Sequence, residues 1–254
     1  MDAIIYAAGR ATRLGSAYAQ RAKILIEIGG KSLLEWHIEH LVRCGLTRVF
    51  VVTGHMREFL VTELASLRAK HRIAIQELFN PDFCEGSVLS LNVSLPVIEK
   101  ATESILLMDG DVFYPRAFLD QLRQSSHRTA LLIDTAYSKA DDDPVLVPVR
   151  NGRPFEFLKR WNGNADLVGE SIGFFKLHPV DIPRLIDETR SRVVGTGRLE
   201  SYDEVIRALV KADCFGYEDV TGQPWTEIDF PQDVEYARNV VVPACAALGR
   251  TAVP

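Results

Sequence analysis

Two acidic stretches and one basic loop hold the residues of this chain best suited to chemistry. Asp109-Gly110-Asp111 follows an apolar run, Ile105-Leu106-Leu107-Met108, and Trp225-Thr226-Glu227-Ile228-Asp229-Phe230-Pro231 stands far downstream. A hard cation such as Mg²⁺ prefers oxygen ligands and commonly takes one or two protein carboxylates, leaving its other positions to water and phosphate. Asp111 and Asp229, on separate elements, would meet that need if the fold brought them together. The basic loop runs through Ala7-Ala8-Gly9-Arg10-Ala11-Thr12-Arg13-Leu14-Gly15 and on to Ala22-Lys23-Ile24-Leu25. Glycine lets the backbone approach a phosphate, and exposed amides can hold its oxygens. Arg13 offers two-point phosphate contacts and Lys23 a movable point charge.

Each stretch also has a plainer reading. Asp229 stands where it could cap the helix that follows, and Asp109 or Asp111 could be turn residues. The loop fails the dinucleotide pattern because Ala11 takes the second glycine position. It fails the Walker A pattern because Leu25 stands where the first glycine belongs, although Gly30-Lys31-Ser32 supplies the ending. His37 and His40 lie three apart with no third ligand and read as structural residues. His55, after Thr53-Gly54, is expected to border a cleft. Asp141-Asp142-Asp143 reads as a solvated turn. No Ser/His/Asp or Cys/His arrangement points to a covalent nucleophile.

The elements that must position these groups alternate in type. Apolar runs at 3–7, 49–52, 73–78 and 105–108 read as buried parallel strands, separated by helices at 31–44 (capped by Gly45), 58–70 and 88–95, the last stopping at Pro96. This rhythm predicts an α/β fold with a doubly wound sheet and right-handed crossovers. A loop leaving the carboxyl end of the first strand lies where such sheets bind ligands. Beyond residue 129 the rhythm changes to short strands near 129–134, 144–149 and 153–158, a longer one at 169–176, and helices near 180–190, 202–211 and 231–247. No repeat or Pro/Ser-rich linker divides the chain, so 1–254 is expected to be one domain. Its nucleotide-binding half is placed at about 1–130 and its acceptor-binding half at 131–254.

Composition narrows the function classes. The 254 residues are 47% hydrophobic and 25% charged, enough for a substantial core, and the formal net charge of −5 argues against broad binding to nucleic acid or acidic membranes. Cys44, Cys84, Cys214 and Cys245 are scattered without metal-ligand spacing, which suits a reduced, cytoplasmic protein. No run is long enough for a membrane helix, and no signal peptide is expected.

The stretch from Ala3 to Glu35 resembles the N-terminal signature of the sugar-nucleotidyltransferase-like superfamily, roughly AAGxGxR followed by PKxL and GGKPLL. The matching residues are Ala7-Ala8-Gly9, Arg13, Lys23, Leu25 and Gly29-Gly30-Lys31-Ser32-Leu33-Leu34. Ala11 and Ala22 depart from a usual glycine and proline. The resemblance implies a three-layer α/β/α, Rossmann-like, mostly parallel mixed sheet of the nucleotide-diphospho-sugar transferase (GT-A-like) type. It also implies catalytic roles for Arg13 and Lys23 on the triphosphate and α-phosphate, and Mg²⁺ held by Asp111 and Asp229.

Downstream, Gly169-Glu170-Ser171-Ile172-Gly173-Phe174-Phe175 and the stretch from Trp225 to Glu235 look like the phosphocholine/aminoethylphosphonate branch of cytidylyltransferases, with inositol-phosphate cytidylyltransferases as near relatives. This implies CTP and a small phosphorylated or phosphonate acceptor as partners. A nucleotide site would comprise Ala7, Ala8, Gly9, Thr12, Arg13, Lys23, Asn80, Gly86, Ser87 and Asp109. Glu170, Trp161 and Trp225 are candidates for the acceptor, the tryptophans through cation–π contact. Capping is the simpler role for Tyr202 and Asp203 at a helix start. A homodimer stays open, as do rival readings: a sugar-1-phosphate or molybdopterin-type nucleotidyltransferase, or a catalytically silent nucleotide-binding module.

Overall fold

The computed structural model describes residues 1–15, 18, 20–137 and 144–251, so the Asp141-Asp142-Asp143 turn lies outside the described residues. The first half of the chain runs β1 (Asp2–Ala7), β2 (Glu27–Ile28), β3 (Lys31–Ser32), α1 (Leu33–Arg43), β4 (Arg48–Thr53), α2 (Arg57–His71), β5 (Ala74–Phe79), α3 (Val88–Ile98) and β6 (Ile105–Asp109). The second adds β7 (Val112–Phe113), α4 (Ala117–Gln124), β8 (Thr129–Asp134), β9 (Leu146–Arg150), β10 (Arg153–Pro154) and β11 (Leu167–Leu177). It continues with α5 (Ile182–Arg192), α6 (Asp203–Lys211), β12 (Phe215–Asp219), β13 (Thr226–Glu227), α7 (Pro231–Tyr236) and α8 (Val242–Thr251).

Nine strands form one mixed sheet in the order β10-β9-β11-β6-β1-β4-β5, with β8 pairing β11 and β12 beside this path. The pairs β6-β1, β1-β4 and β4-β5 are parallel, and β11 joins β6 antiparallel. Period-two alternation of apolar residues feeds both faces, as a doubly covered sheet requires. In β1, Ala3 and Ile5 enter one core and Ile4 the other; in β6, Leu106 and Met108 oppose Ile105 and Leu107. Helices α1, α2, α4 and the C-terminal helices cover the first face, and α3, α5 and α6 the second. These are the three expected layers.

Local signals explain most boundaries. Ser32 Oγ accepts from Glu35 N–H (3.1 Å) and caps α1. The helix ends at Gly45, whose N–H donates to Val42 O while Leu46 N–H reaches back to Leu41 O, a Schellman closure. Gly29 and Gly30 both hold positive φ, as the two-residue turn between β2 and β3 demands.

Three expectations needed correction. Helix α3 passes through Pro96 to Ile98. The proline lies in the last turn on the exposed side, where its missing N–H costs a single bond, and burial of Ile98 holds the end in place. The helix expected over 231–247 is broken by a π turn at Ala237–Val241 and extends to Thr251. The span 153–158 contributes only the two residues of β10, with Leu158 bridging Leu146 alone.

The parallel strands place the carboxyl ends of β1 and β6 side by side, and β11 kinks against them. Its register shifts between Ser171 and Phe175 around Gly173, which has φ +75°. A Cβ there would stand 2.1 Å from Asp109 Oδ2, so only glycine lets the strand close over that carboxylate.

Candidate active site

A cleft of ≈ 780 Å³ opens at this end of the sheet. The two acidic stretches meet in its wall because β13 pairs antiparallel with β7, setting Glu227 opposite Val112, while Ile228 N–H donates to Asp111 O (2.9 Å). Ile228 is fully buried and turns Glu227 and Asp229, two apart on an extended segment, toward the same side. Single carboxylate oxygens of Asp111, Glu227 and Asp229 lie within 4.8 Å of one another.

Asp229 does not cap the final helix. Asp233, in the first turn of α7, does so instead, its Oδ2 accepting from Asp229 N–H (2.9 Å) and Phe230 N–H (2.6 Å). The Asp229 carboxylate is thereby left to the basic loop. Lys23 Nζ donates to Asp111 Oδ2 (2.7 Å) and Asp229 Oδ1 (2.6 Å), and Arg13 Nη2 pairs with Asp229 Oδ2 at 2.7 Å. Burial alone would disfavour the Lys23 charge, but Asp111, Asp229 and Glu227 outweigh it and hold the ammonium above its ordinary pKa. Glu227 shifts the other way: the residue is exposed overall, but crowding of its carboxyl in the cleft, then the charges of Asp111 and Asp229, push it above the usual range. Three oxygen donors whose mutual repulsion is relieved by a cation fit the coordination taste of Mg²⁺.

Ala11 and Ala22, the two departures from the family pattern, adopt conformations that glycine and proline favour. Ala11 holds φ 51°, the left-handed region a glycine would take, and Ala22 holds φ −62° and ψ 134°, a proline-like conformation.

Asp109 faces the cleft behind Asp111. Burial, then Asp111, push its pKa well up, partly opposed by the Tyr202 hydroxyl, which donates to Asp109 Oδ1 at 2.6 Å. Tyr202 therefore does more than open α6: it ties the second half of the chain to the end of β6 and stacks on Tyr6 (centroids 5.3 Å apart). Elsewhere in the cleft lining, Trp225 Nε1 donates to Asp134 Oδ2 (2.8 Å), which fixes the indole plane. Glu170 is the cross-strand neighbour of Asp134, and Asp203, whose charge reaches Asp109, and Lys159 also line the cleft. Behind the Asp109–Asp111 turn, burial pushes His37 down to about 4 and His40 to about 3, so both rings are neutral near pH 7.

The structure gathers some of the expected site residues and separates others. Arg13, Ser87, Asp109, Asp111, Glu170, Trp225 and Asp229 line the cleft, with Lys23 bonded into it. Ala7 ends β1, and Ala8, Gly9 and Thr12 follow it in the loop, none of them lining the cleft; Ala8 is buried, and Gly9 and Thr12 are exposed. Asn80 is buried and committed to its neighbours, donating to Ser90 Oγ (3.0 Å) and accepting from Asp82 N–H (2.9 Å). Gly86 is sealed against the 198–200 backbone, its N–H donating to Arg198 O (2.9 Å). Trp161 stands apart from the cleft lining and packs edge-on to Phe155 at 5.5 Å. His55 stacks on Phe83 (6.1 Å) outside that lining.

Sequence reasoning missed Glu227, Asp134 and the Tyr202–Asp109 contact. The first had a readable signal, since Glu227 and Asp229 at i and i+2 share a face on any extended segment. The other two depend on pairing across distant elements.

Comparison with known proteins identifies the family. The model of the MobA-like NTP transferase domain matches residues 3–205. The CTP:phosphoglutamine cytidylyltransferase of Campylobacter jejuni is 22% identical over 92% of this chain and 98% of its own length. The CMP-5'-(3-aminopropyl)phosphonate synthase of Streptomyces rubellomurinus is 27% identical over 92% of this chain, which spans only 38% of that protein. Among solved structures, the inositol-1-phosphate CTP transferase from T. maritima superposes with a TM-score of 0.75 at 20% identity, covering 100% of this chain and 97% of the other. The CTP:phosphocholine cytidylyltransferase from Streptococcus pneumoniae gives 0.71 at 19%, covering 94% and 98%. The chain belongs to the MobA-like NTP transferase family and is a nucleotidyltransferase.

Proposed function

From that family membership, we propose that this chain transfers CMP from CTP to a small phospho-alcohol or phosphonate whose far end carries an amino or ammonium group, releasing pyrophosphate. The observation that carries the reading is the meeting of Lys23 and Arg13 with Asp111, Glu227 and Asp229 at one cleft. Asp111 and Asp229, joined by Glu227, would hold Mg²⁺. When bound, Mg²⁺ would supply positive charge to the reacting phosphates.

An oxygen of the acceptor phosphate attacks the α-phosphorus, the new P–O bond forms, and the bond to the β-phosphate breaks in line as pyrophosphate leaves. Both reactants are anionic. At about 3 Å, a pair of unit charges repels by several kcal/mol even at an effective dielectric near 20. Lys23 offsets this by moving from the carboxylates to the α-phosphate, where charge develops. Arg13, on the exposed rim, draws charge toward the leaving pyrophosphate. No general base is needed, because the acceptor oxygen is already largely ionised near neutral pH.

The ammonium preference rests on other groups in the cleft lining. Asp134 and its cross-strand neighbour Glu170 line the cleft together with Asp203 and Lys159, and the Trp225 indole is held there by Asp134. Three carboxylates, one cation and an aromatic face attract a positively charged group. The names of two relatives, the phosphoglutamine cytidylyltransferase and the (3-aminopropyl)phosphonate synthase, carry nitrogen-bearing groups and lean the same way, while the inositol-phosphate and mannose-phosphate relatives do not.

A pyrophosphate-release screen of CTP, UTP, GTP and ATP decides the reading. Each is offered with phosphocholine, 2-aminoethylphosphonate, inositol 1-phosphate, glucose 1-phosphate or no acceptor, in the presence of Mg²⁺. Turnover is expected with CTP and an amino-bearing acceptor. Turnover confined to glucose 1-phosphate would make this a sugar-1-phosphate transferase, and nucleotide binding without turnover for any acceptor would refute catalysis.

A further inference from the structure

Behind the Asp109–Asp111 turn, on the side away from the cleft, lies a buried polar contact with no part in the chemistry above. His37, from the middle of α1, is fully buried. Its Nε2 lies 3.3 Å from Gly110 O and its Nδ1 3.1 Å from the Tyr114 hydroxyl. A carbonyl can only accept, so Nε2 carries the ring proton and Nδ1 accepts from Tyr114. One arrangement of hydrogens satisfies both contacts in a neutral imidazole. Phe174 and Tyr114 pack against the ring, with centroids 6.2 and 5.2 Å away, and hold its plane.

The Gly110 carbonyl belongs to the peptide unit that leads into Asp111. Peptide units are planar, so the direction of that carbonyl sets where the Asp111 backbone begins and where its side chain is aimed. Gly110 N–H is held as well, donating to Tyr6 O at 3.0 Å. Asp111 O in turn accepts from Ile228 N–H, between Glu227 and Asp229. A rotation of the Gly110–Asp111 peptide would therefore disturb all three carboxylates. Only the β2–β3 hairpin separates the segment that carries Lys23 from α1, and Leu33 N–H at the start of α1 donates to Ile26 O (3.1 Å), so the helix is tied to both the basic loop and the acidic turn.

We infer that His37 is a positioning residue: through the Gly110 carbonyl it fixes the peptide that aims Asp111 and so sets the cation site of Asp111, Glu227 and Asp229. The inference rests on the metal reading proposed above. Residues that orient metal ligands without touching the metal commonly change affinity about 10- to 100-fold when replaced.

Mn²⁺ is a suitable probe, because free Mn²⁺ can be counted by its EPR signal on the purified full chain without any turnover. His37→Leu is expected to weaken Mn²⁺ binding about tenfold or more, while the KM for nucleotide at saturating metal stays near that of the wild type. His37→Gln, whose amide N–H can replace Nε2–H, is expected to recover most of the loss. Wild-type Mn²⁺ affinity in a folded His37→Leu chain, or failure of His37→Gln to bind better than His37→Leu, overturns the inference. Should His37→Leu not fold, Tyr114→Phe decides, since it removes only the hydroxyl that holds Nδ1: weakened Mn²⁺ binding supports the inference and unchanged affinity overturns it. Asp111→Asn separates the two levels. If the wild type and Asp111→Asn bind Mn²⁺ alike, the metal reading itself has failed; if only Asp111→Asn loses binding, the failure belongs to His37 alone.

Discussion

Replacing Lys23 by methionine keeps the side-chain length and removes the ammonium that stands between Asp111 and Asp229. At 2.7 and 2.6 Å, each contact carries a gross attraction of about 6 kcal/mol at an effective dielectric near 20. Desolvation takes much of this back. The Lys23 side chain is only 14% exposed, so the cluster behaves as a buried one, and losing one partner of such a pair costs about 3–5 kcal/mol. Asp111 and Asp229 remain 27% and 18% exposed, which places the loss near the lower end, about 3 kcal/mol. For a chain of 254 residues that is a fall in melting temperature of roughly 6–12 °C, read by calorimetry in the presence of a chelator. Mg²⁺ should then raise the melting temperature of Lys23→Met more than that of the wild type, because in the wild type the cation must first displace the ammonium. Turnover should fall about 10²- to 10³-fold, the scale of losing one donor to a developing anion. Wild-type melting of Lys23→Met in chelator, or equal Mg²⁺ shifts in the two proteins, would refute the idea that ammonium and metal share these oxygens.

Other expectations concern the rest of the cleft and the core behind it. Trp225→Leu removes the indole and strands Asp134, so the KM for an amino-bearing acceptor should rise about tenfold with the KM for CTP unchanged, as initial-rate kinetics would show. Gly86→Ala would set a Cβ 2.1 Å from Glu200 O and 2.6 Å from Arg198 O, prying the loop from the 198–200 segment; urea unfolding should report a loss of about 1–3 kcal/mol. His37 and His40 make stability sensitive to acid. Their folded values of about 4 and about 3 lie below the ordinary value near 6.5, so between these limits the unfolded chain binds more protons and stability falls as pH falls. For His37 alone this amounts to roughly 3 kcal/mol by pH 4. Unfolding free energies from pH 7 to pH 4.5 check the direction, and His40→Leu should flatten the slope.

Much of the architecture was legible because it follows from short-range pattern. The apolar runs of β1, β4 and β6 and the Gly45 stop are read from a few neighbouring residues, and each appears where its pattern placed it; the Ser32 cap, which starts α1 two residues later than expected, came from the structure. Helix α3 escaped that reading because the cost of Pro96 is settled by what packs around the helix end. Strands β12 and β13 escaped because each is defined by its partner, β8 and β7, and only weakly by its own residues.

The candidate site divides the same way. Arg13, Lys23, Asp111 and Asp229 stood out from residue type, spacing and resemblance, since a loop after a first strand and an aspartate after a buried one fall at the carboxyl edge of a parallel sheet. Which aspartate is free and which acid caps the helix was decided by tertiary structure: Asp233 takes the amides of Asp229 and Phe230, and the Asp229 carboxylate turns to Lys23. The same holds for Trp161 and Trp225, equal as residue types, of which only Trp225 reaches the cleft because Asp134 anchors it there. Sequence determined the kinds of group this protein can bring to phosphate chemistry. Pairing between distant strands determined which of them meet, because a hydrogen bond or ion pair acts over about 3 Å in space, whatever the separation along the chain.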